Sequence, residues 1–360
     1  MKKICIVVGA RPNFVKVAPL IRAIKKSEGA AYELVYAGRD DDPTLESSLF
    51  DDLQMPRPDV FLGVVSQSLN EITAQVMGAF DRYLDEHPAD VVIVVDDLAS
   101  TMAAAITAKK RGVRLAHLVA GTRSFDISMP KEVNRLVIDA LSDYLFTAGV
   151  KSTGVATREQ SDGNNTYMVG NILMDSLRYN LSRFCRPDID IEEGRYIVLT
   201  LNRRALLSDE ANLRLMLQAM AEAAAGVPII APLRDSALDV VSRLQPVPTL
   251  SSHRPSPITH HQPLPYLEFG WLTAHTLGII TDSGNVAEEA TFNGIPCITL
   301  NSYTEHQETV TVGTNVLVGG DAEKLRESVA DMVADRWKKS ALPDRWDGRT
   351  AERIVQILLQ

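Results

Sequence analysis

Short apolar runs alternate with helix-period segments along the first half of the chain. Five runs are almost continuously apolar: KICIVVG, YELVYAG, DVVIVVD, VRLAHLVAG and DYLFTAG. Between them, segments such as NFVKVAPLIRAIKKS carry apolar residues at the three- and four-residue spacing of an amphipathic helix. Strands without polar alternation are typical of parallel sheets that are covered on both faces. The pattern therefore predicts a doubly wound parallel α/β sheet.

A second series of the same kind follows the charged, Pro-containing stretch RFCRPDIDIEEG. Its predicted strands are RYIVLTL, VPIIAPL, VPTLS, LGIITDS, PCITLN and NVLVG, and helical segments such as DEANLRLMLQAMAEAAAG separate them. We expect two Rossmann-like domains, 1–170 and 171–345, and a C-terminal helix at 346–360 that packs back on the first domain. Ligands of such sheets bind beyond the carboxyl ends of the strands, so we expect the site in the cleft between the domains.

Composition narrows the function classes. The chain has 360 residues, 45% of them hydrophobic and 23% charged, as in a globular protein. A net charge of −9 argues against non-specific nucleic-acid binding, and no apolar run approaches the roughly 20 residues of a membrane span. The three cysteines form no C-x-x-C pair, which favours a reducing cytoplasm without disulfides or zinc. We expect no metal, no cofactor, and no nucleic-acid or membrane partner.

Two polar segments directly follow predicted strands of the first half. In GARPNFVK, Gly9 allows a tight turn, and Arg11 and Lys16 supply the positive charge that a phosphate site needs, although the segment is not G-x-G-x-x-G. In VVDDLAST, Asp96 and Asp97 end a strand before a helix. We expect Asp96 to cap that helix or to be solvated. Adjacent carboxylates point in different directions, which argues against a shared-proton dyad.

The segment IITDSGNVAEEA carries the clearest signal of the second half. A predicted strand delivers Asp282, Ser283 and Gly284 to a helix start, whose free N–H groups and dipole form an anion site. Glu288 and Glu289 follow in that helix. For Glu289, hydrogen bonding to ribose hydroxyls and a merely favourable negative charge in the first turns of the helix are equally good interpretations. For Glu288 we favour the second of these.

Two histidine-containing segments carry weaker signals. Glu305, His306 and Glu308 lie close together in NSYTEHQETVTVGTN, but the segment lacks the i, i+4 histidines of a helical metal site. His260 and His261 lie in a Pro-rich stretch, where we expect a solvent-exposed loop.

Taken together, these segments resemble the UDP-N-acetylglucosamine 2-epimerase family. The matching segments are GARPNFVKVAPL, DVVIVVDD, HLVAGTRSFDISMPKEVNRLVIDALSDYLF, VGNILMDS, TDSGNVAEEATFNGIPCITL and TVTVGTNVLVG. The resemblance implies a GT-B fold, a homodimer and a nucleoside diphosphate-sugar as substrate. It also implies a reaction in which diphosphate leaves by anti-elimination, giving a bound glycal, and adds back after C2 has been inverted.

Many of the positions that the family uses are kept in this chain. The resemblance assigns diphosphate binding to Arg11, Lys16, Ser283, Gly284 and Glu289, with Asn285 in place of a second glycine. The further substrate-binding candidates are Arg39, Arg135, Asn202, Arg203 and Arg234, and the catalytic candidates are Asp97, Lys131 and Glu132.

Other positions depart from the family pattern. Val119 in HLVAG and Lys131 in PKEVNR stand where the family has catalytic glutamates, and Asn202 stands in place of a histidine. Arg39 and Arg234 replace residues of a Gly-Gln-His segment and a further histidine.

These departures affect proton transfer. Valine and asparagine do not titrate, and Lys131 could act as a base only with a pKa well below about 10.4. Each general acid or base typically contributes a factor of about 10²–10⁴ to the rate. The added cations Arg39, Lys131 and Arg234 suit a more phosphorylated sugar.

We therefore expect a glycosyltransferase-like enzyme that cleaves the bond between an anomeric carbon and diphosphate. The sugar would pass to an acceptor such as a nucleobase, as in nucleoside-antibiotic biosynthesis. Asp97 or Glu132 would orient or deprotonate this acceptor. One alternative is ordinary UDP-N-acetylglucosamine 2-epimerisation with Lys131 and Asp97 as proton carriers. Another is a non-catalytic sugar-nucleotide-binding homologue.

Overall fold

The computed structural model describes residues 1–159, 165–244 and 257–360 and divides into two compact units. Unit 1 comprises Met1–Tyr179 together with Asp344–Gln360, and unit 2 comprises Asn180–Pro343. Each unit is built around one parallel β-sheet. No helix within the described ranges has the length and apolar character needed to cross a membrane.

Unit 1 contains a seven-stranded sheet in the order β3-β2-β1-β4-β5-β6-β7. Its strands are β1 (Lys2–Val8), β2 (Ala30–Tyr36), β3 (Val60–Phe61), β4 (Val91–Val95), β5 (Arg114–Ala120), β6 (Tyr144–Thr147) and β7 (Thr166–Met168). Its helices are α1 (Arg11–Lys26), α2 (Ser47–Leu53), α3 (Leu69–Glu86), α4 (Ala99–Lys110), α5 (Pro130–Leu141), α6 (Val150–Glu159), α7 (Ile172–Asn180) and, at the C-terminus, α15 (Thr350–Leu359).

Unit 2 contains a six-stranded sheet in the order β10-β9-β8-β11-β12-β13. Its strands are β8 (Ile197–Thr200), β9 (Ile229–Pro232), β10 (Ile258–His261), β11 (Gly278–Thr281), β12 (Cys297–Thr299) and β13 (Asn315–Leu317). Its helices are α8 (Arg204–Ser208), α9 (Glu210–Ala223), α10 (Asp235–Leu244), α11 (Tyr266–Ala274), α12 (Gly284–Asn293), α13 (Glu308–Thr311) and α14 (Ala322–Val333).

The apolar runs of the sequence form the centres of both sheets. Every residue of β4 and of β8 is buried, as is expected of parallel strands covered by helices on both faces. In both sheets the strand order reverses once, between β1 and β4 in unit 1 and between β8 and β11 in unit 2. The prediction of two Rossmann-like α/β domains is confirmed, and each reversal marks the place where such sheets bind ligands.

Two local predictions fare differently. The expected strand VPTLS lies outside the described residues. His260 and His261 were expected in an exposed loop, and this is wrong, because both are half-buried in the edge strand β10. The strand begins immediately after Pro257, a position that proline tolerates at a sheet edge. Four residues with two histidines are too short and too polar to stand out as a strand in the sequence.

The C-terminal segment is anchored within unit 1 by buried polar contacts. The indole Nε1 of Trp346, a side chain only 1% exposed, donates to the carbonyl of Ala148 at 3.0 Å. The carboxylate of Asp175 accepts the N–H groups of Thr350 and Ala351 at 3.1 and 2.8 Å. It therefore caps α15, which packs against α1.

We expect Trp346→Ala to lower the free energy of unfolding of unit 1 by about 3–5 kcal/mol, because it removes a large buried ring and leaves a cavity. Trp346→Phe should cost less, since it keeps most of the ring and loses only the indole hydrogen bond. Urea denaturation followed by far-UV circular dichroism measures both. A loss below about 1 kcal/mol for the alanine variant would contradict this anchoring role.

Candidate functional site

An ionic cluster lies at the strand-order reversal of unit 1. Lys16 Nζ lies 2.6 Å from Asp96 Oδ1, and the Asn13 amide donates to Asp96 Oδ2 at 2.8 Å. Asn13 in turn accepts the N–H groups of Gly9 and Ala10 at 3.0 and 3.2 Å. These bonds fix the turn after β1 to the turn after β4.

The expectation for Asp96 is wrong. Asp96 does not cap α4, because the residue before that helix is Leu98. Nor is it free in solvent, since its carboxylate forms an ion pair with Lys16. Its backbone is in the left-handed conformation, with φ 58°. Lys16, expected beside a diphosphate, is thus already ion-paired. Arg11 differs, because its Nε is buried and has no hydrogen-bond partner among the described residues.

Asp97 occupies the centre of a second cluster. Arg135 contacts Asp97 Oδ2 through Nε at 2.8 Å and Nη2 at 2.5 Å, and Lys131 Nζ lies 3.4 Å from Oδ1. Burial would raise the pKa of Asp97, but the charges of Lys131 and Arg135 outweigh burial and hold that pKa below its ordinary value. Asp97 is therefore an ionised carboxylate, and its Oδ1 faces the ammonium group of Lys131.

Glu132 has a different environment from Asp97. Its carboxylate accepts the N–H and hydroxyl of Ser124 at 2.8 and 2.9 Å and the N–H of Phe125 at 3.1 Å, and it lies 3.2 Å from Arg135 Nη1. Burial opposes ionisation, but the hydrogen bonds from Ser124 and Phe125 and the charge of Arg135 lower the pKa of Glu132. With its oxygens engaged by the loop, Glu132 shapes the loop before α5 and orients Arg135.

Val119 lies at a bulge at the end of β5. The register with β6 shifts between Leu118 and Ala120, and Val119 has φ 75°, an outlier for a β-branched residue. Bulges re-aim side chains at functional edges. Strain of this kind costs on the order of 1–3 kcal/mol, which the surrounding structure must offset.

The corresponding place in unit 2 is organised by Asp282. Its Oδ2 accepts the N–H groups of Asn202 and Arg203, both at 2.7 Å, and thereby ties the loop after β8 to the end of β11. Its Oδ1 is buried without a hydrogen-bond partner in the described part of the chain. The sequence did not reveal this bridge, since its two partners are backbone groups about 80 residues away.

The helix that begins after Asp282 keeps an open N-terminus. Ser283 precedes α12 but accepts no capping hydrogen bond through its side chain, and the first turn, with Gly284 and Asn285, contains no acidic residue. The first N–H groups of α12 are therefore available to an anion, and the helix dipole favours one.

Glu288 and Glu289 lie further along α12 and are both buried. His306 Nδ1 lies 3.3 Å from Glu288 Oε1. Glu289 has no hydrogen-bond or ion-pair partner within residues 1–159, 165–244 and 257–360. Burial, with a smaller contribution from the charge of Glu288, raises the pKa of Glu289 to about 8.

We expect unit 2 to lose stability as the pH rises through about 8. Because the pKa of Glu289 in the folded state lies above its ordinary 4.5, its contribution to stability is full below 4.5 and is lost through about 8. The melting temperature should fall by a few degrees between about pH 6.5 and 9.5, because about 1 kcal/mol corresponds to roughly 2–4 °C.

Differential scanning calorimetry of Glu289→Gln should show a shallower pH profile. Glu327→Gln, an exposed residue of α14, should retain the profile of the unmodified protein. Equal profiles for all three proteins would contradict the assignment.

Two of the added cations, Arg39 and Arg234, belong to different units. Arg39 is exposed, pairs with Asp41, and lines an open cavity of about 560 Å³ that also includes Gly9, Tyr36 and Ser100. Gly9 is required here, because a Cβ at this position would lie 2.1 Å from Ser100 Oγ.

In unit 2, Arg234 follows β9 and is exposed. Arg203 follows β8 and lies over the ring of Tyr303, 5.9 Å from its centroid. Within the described ranges, no group of three or more His, Cys, Asp and Glu side chains is arranged to hold a metal ion.

Comparison with known proteins decides the family. A family model described as UDP-N-acetylglucosamine 2-epimerase matches residues 22–359. The chain belongs to the UDP-N-acetylglucosamine 2-epimerase family. The UDP-N-acetylglucosamine 2-epimerase of Methanocaldococcus jannaschii is 31% identical over 99% of this chain and 98% of that protein. Its crystal structure, in complex with UDP-GlcNAc and UDP, matches with a TM-score of 0.85 over 99% of both chains.

A second relative of the same family acts on a different substrate. The UDP-2,3-diacetamido-2,3-dideoxy-D-glucuronate 2-epimerase of Pseudomonas aeruginosa is 31% identical over 333 residues, which cover 91% of each protein. Both relatives are thus 2-epimerases of UDP-sugars.

The expectation of a glycosyltransferase is therefore wrong, and the nucleobase acceptor is wrong with it. The relatives that match across nearly the whole chain are 2-epimerases. The expectation counted only the acid and base groups missing at positions 119, 131 and 202. The structure, by contrast, brings Asp97, Lys131 and Arg135 into one cluster of ionised groups.

Proposed function

We propose that this chain is a UDP-sugar 2-epimerase that inverts C2 of a 2-acetamido sugar bound to UDP. The observation that carries the proposal is the 31% identity to the Methanocaldococcus jannaschii enzyme along 99% of the chain. The reaction is the one that the family resemblance implies: loss of diphosphate together with the C2 proton, followed by re-addition after proton return to the opposite face.

The proposal assigns the nucleoside diphosphate to unit 2. The open N-terminus of α12 offers N–H groups to phosphate oxygens, with Ser283 and Asn285 beside them. Arg203 and Arg234, at neighbouring strand ends, add positive charge. Glu289, with a pKa of about 8, is a neutral carboxyl at pH 7 and can donate as well as accept a hydrogen bond with ribose.

Proton transfer at C2 is assigned to Asp97 and Lys131 in unit 1. Elimination needs one group that accepts a proton and one that returns a proton to the other face. Asp97 is ionised and accepts the proton. Lys131 Nζ lies 3.4 Å from Asp97 Oδ1, and its side chain is 60% exposed. Its flexible four-carbon stem lets the ammonium group move away from Asp97 and act as the acid on the opposite face. Arg135 holds Asp97 in place and Glu132 orients Arg135, so both are positioning residues.

A weak base is sufficient for this chemistry if C–O cleavage runs ahead of proton loss. Positive charge that develops at the anomeric carbon makes the neighbouring C2 proton more acidic. A carboxylate whose pKa is lowered by Lys131 and Arg135 can then accept that proton. The unpartnered guanidinium nitrogen of Arg11 suits binding of an anionic group of the substrate.

Incubation with UDP-GlcNAc and, separately, with the UDP-2,3-diacetamido-glucuronate substrate tests the proposal. We expect at least one of them to give its C2 epimer, resolved by ion-exchange chromatography and NMR. Formation of free UDP without an epimer, or no product from either sugar, would contradict it. A homodimer and a cytoplasmic location stay predictions.

A further inference from the structure

A further cavity in unit 1 is surrounded by cations. It has a volume of about 430 Å³ and is lined by the second half of α1, by α7 and by the start of α15. Four cations surround it: Arg22, Lys26, Arg178 and Arg349. We propose that this α1–α15 cavity is a binding site for a phosphate-bearing small molecule, distinct from the substrate site.

Two of the cations are held in place by the protein. Arg22 donates to the carbonyl of Leu53 at 2.9 Å and stacks on the ring of Tyr179, with 3.8 Å from its Cζ to the centroid. Arg178 donates to the carbonyl of Asp347 at 2.6 Å. These contacts are with backbone carbonyls and an aromatic ring, which carry no formal charge and so do not neutralise the guanidinium groups.

The other two cations lack partners. Lys26, in the last turn of α1, and Arg349, immediately before α15, form no hydrogen bond or ion pair through their side chains with the described residues. Lys109, a half-buried lysine of the same unit, is by contrast paired, because its Nζ lies 2.8 Å from both carboxylate oxygens of Asp143. Their charges are therefore available to a ligand.

The acidic groups of the cavity do not balance these charges. Asp175 is buried and uses both carboxylate oxygens to cap α15. Glu352 is the remaining carboxylate among the lining residues. Four cations against these two acids, in a chain whose net charge is −9, make a concave surface that attracts an anion.

The chemistry favours phosphate over a simple carboxylate. Guanidinium groups present paired N–H donors that match two oxygens of one phosphate, and three arginines at one cavity can engage a group with several oxygens. The volume lies within the range of small-molecule sites. Because α1 rises about 1.5 Å per residue, Lys26 lies roughly 22 Å from Arg11 at the other end of the helix. The cavity therefore does not share its cations with the substrate site.

Isothermal titration calorimetry with inorganic pyrophosphate tests the proposal. The unmodified protein should bind pyrophosphate at two sites, one at α12 and one at the α1–α15 cavity. The double variant Lys26→Glu/Arg349→Glu should lose the second site, with affinity reduced by about tenfold or more, and should retain UDP binding and epimerase activity. Neither side chain forms a hydrogen bond or ion pair within the described part of the chain, so the melting temperature should not change.

The matched control is Arg82→Glu/Lys110→Glu, which reverses one arginine and one lysine that are likewise exposed in unit 1. It should keep both sites. Binding that is unchanged in Lys26→Glu/Arg349→Glu, or equal weakening in the control pair, would overturn the proposal. Gly284→Asp, which alters the N-terminus of α12, should remove only the α12 site. Failure of the cavity proposal is therefore distinguishable from failure of the proposed function.

Discussion

Asp97→Asn should lower kcat by a factor of about 10²–10⁴, the usual contribution of one general acid or base. Asparagine keeps the shape of Asp97 and can still accept from Arg135, but it cannot take up the C2 proton. Since the diphosphate is assigned to unit 2, the affinity for UDP should stay unchanged. Steady-state kinetics, with UDP binding measured by calorimetry, gives both quantities.

The matched control for this variant is Asp143→Asn. Asp143 is also a carboxylate paired with a lysine, Lys109, but it lies before β6, at the amino ends of the strands. Its loss should reduce stability slightly and leave kcat intact. If Asp97→Asn lowered kcat by less than tenfold, or if it weakened UDP binding as much as it slowed turnover, Asp97 would not be the proton acceptor.

Gly284→Asp should weaken UDP binding by at least about tenfold, equivalent to about 1.4 kcal/mol. Gly284 is the first residue of α12, and a carboxylate there would compete with phosphate for the free N–H groups and repel its charge. The same carboxylate stabilises the helix by about 0.3–1 kcal/mol through the dipole. The affinity for UDP should therefore fall while the free energy of unfolding rises. A variant that bound less UDP because it was partly unfolded would lose both.

Gly284→Ala is the control for the added side chain. A Cβ at this position meets no heavy atom within 4 Å, so alanine should leave the affinity for UDP unchanged. Fluorescence or calorimetric titration with UDP compares the three proteins. Unchanged binding in the aspartate variant would mean that the diphosphate does not occupy the N-terminus of α12.

The fold could be predicted from the sequence because its signal is repeated and local. Each long buried strand, such as β4, is a continuous apolar run, and helices such as α5 have a helical apolar period. Short strands at the sheet edges have no comparable apolar pattern. The two-residue β3 and the polar edge strand β10 depend on pairing with a neighbour that their own residues do not specify.

The candidate site could be predicted only in part. Strand-end positions located Asp97 and Ser283, since parallel strands bring such residues to one edge. The sequence did not indicate which residues contact the acidic side chains. Asn13 donates to Asp96 and His306 faces Glu288, and both belong to other parts of the chain. The family resemblance indicated that Lys131 stands in place of a glutamate, whereas its proposed chemistry depends on Asp97, 34 residues earlier in the chain and 3.4 Å away in space.

The most direct test of the account is hydrogen exchange at the sugar C2 in deuterium oxide. Incubated with UDP-GlcNAc or the diacetamido-glucuronate analogue, the enzyme should incorporate solvent deuterium at C2 as the epimer forms, seen by loss of the C2 proton signal in NMR. An epimer that retains the C2 proton, or turnover of either sugar without exchange at C2, would contradict it.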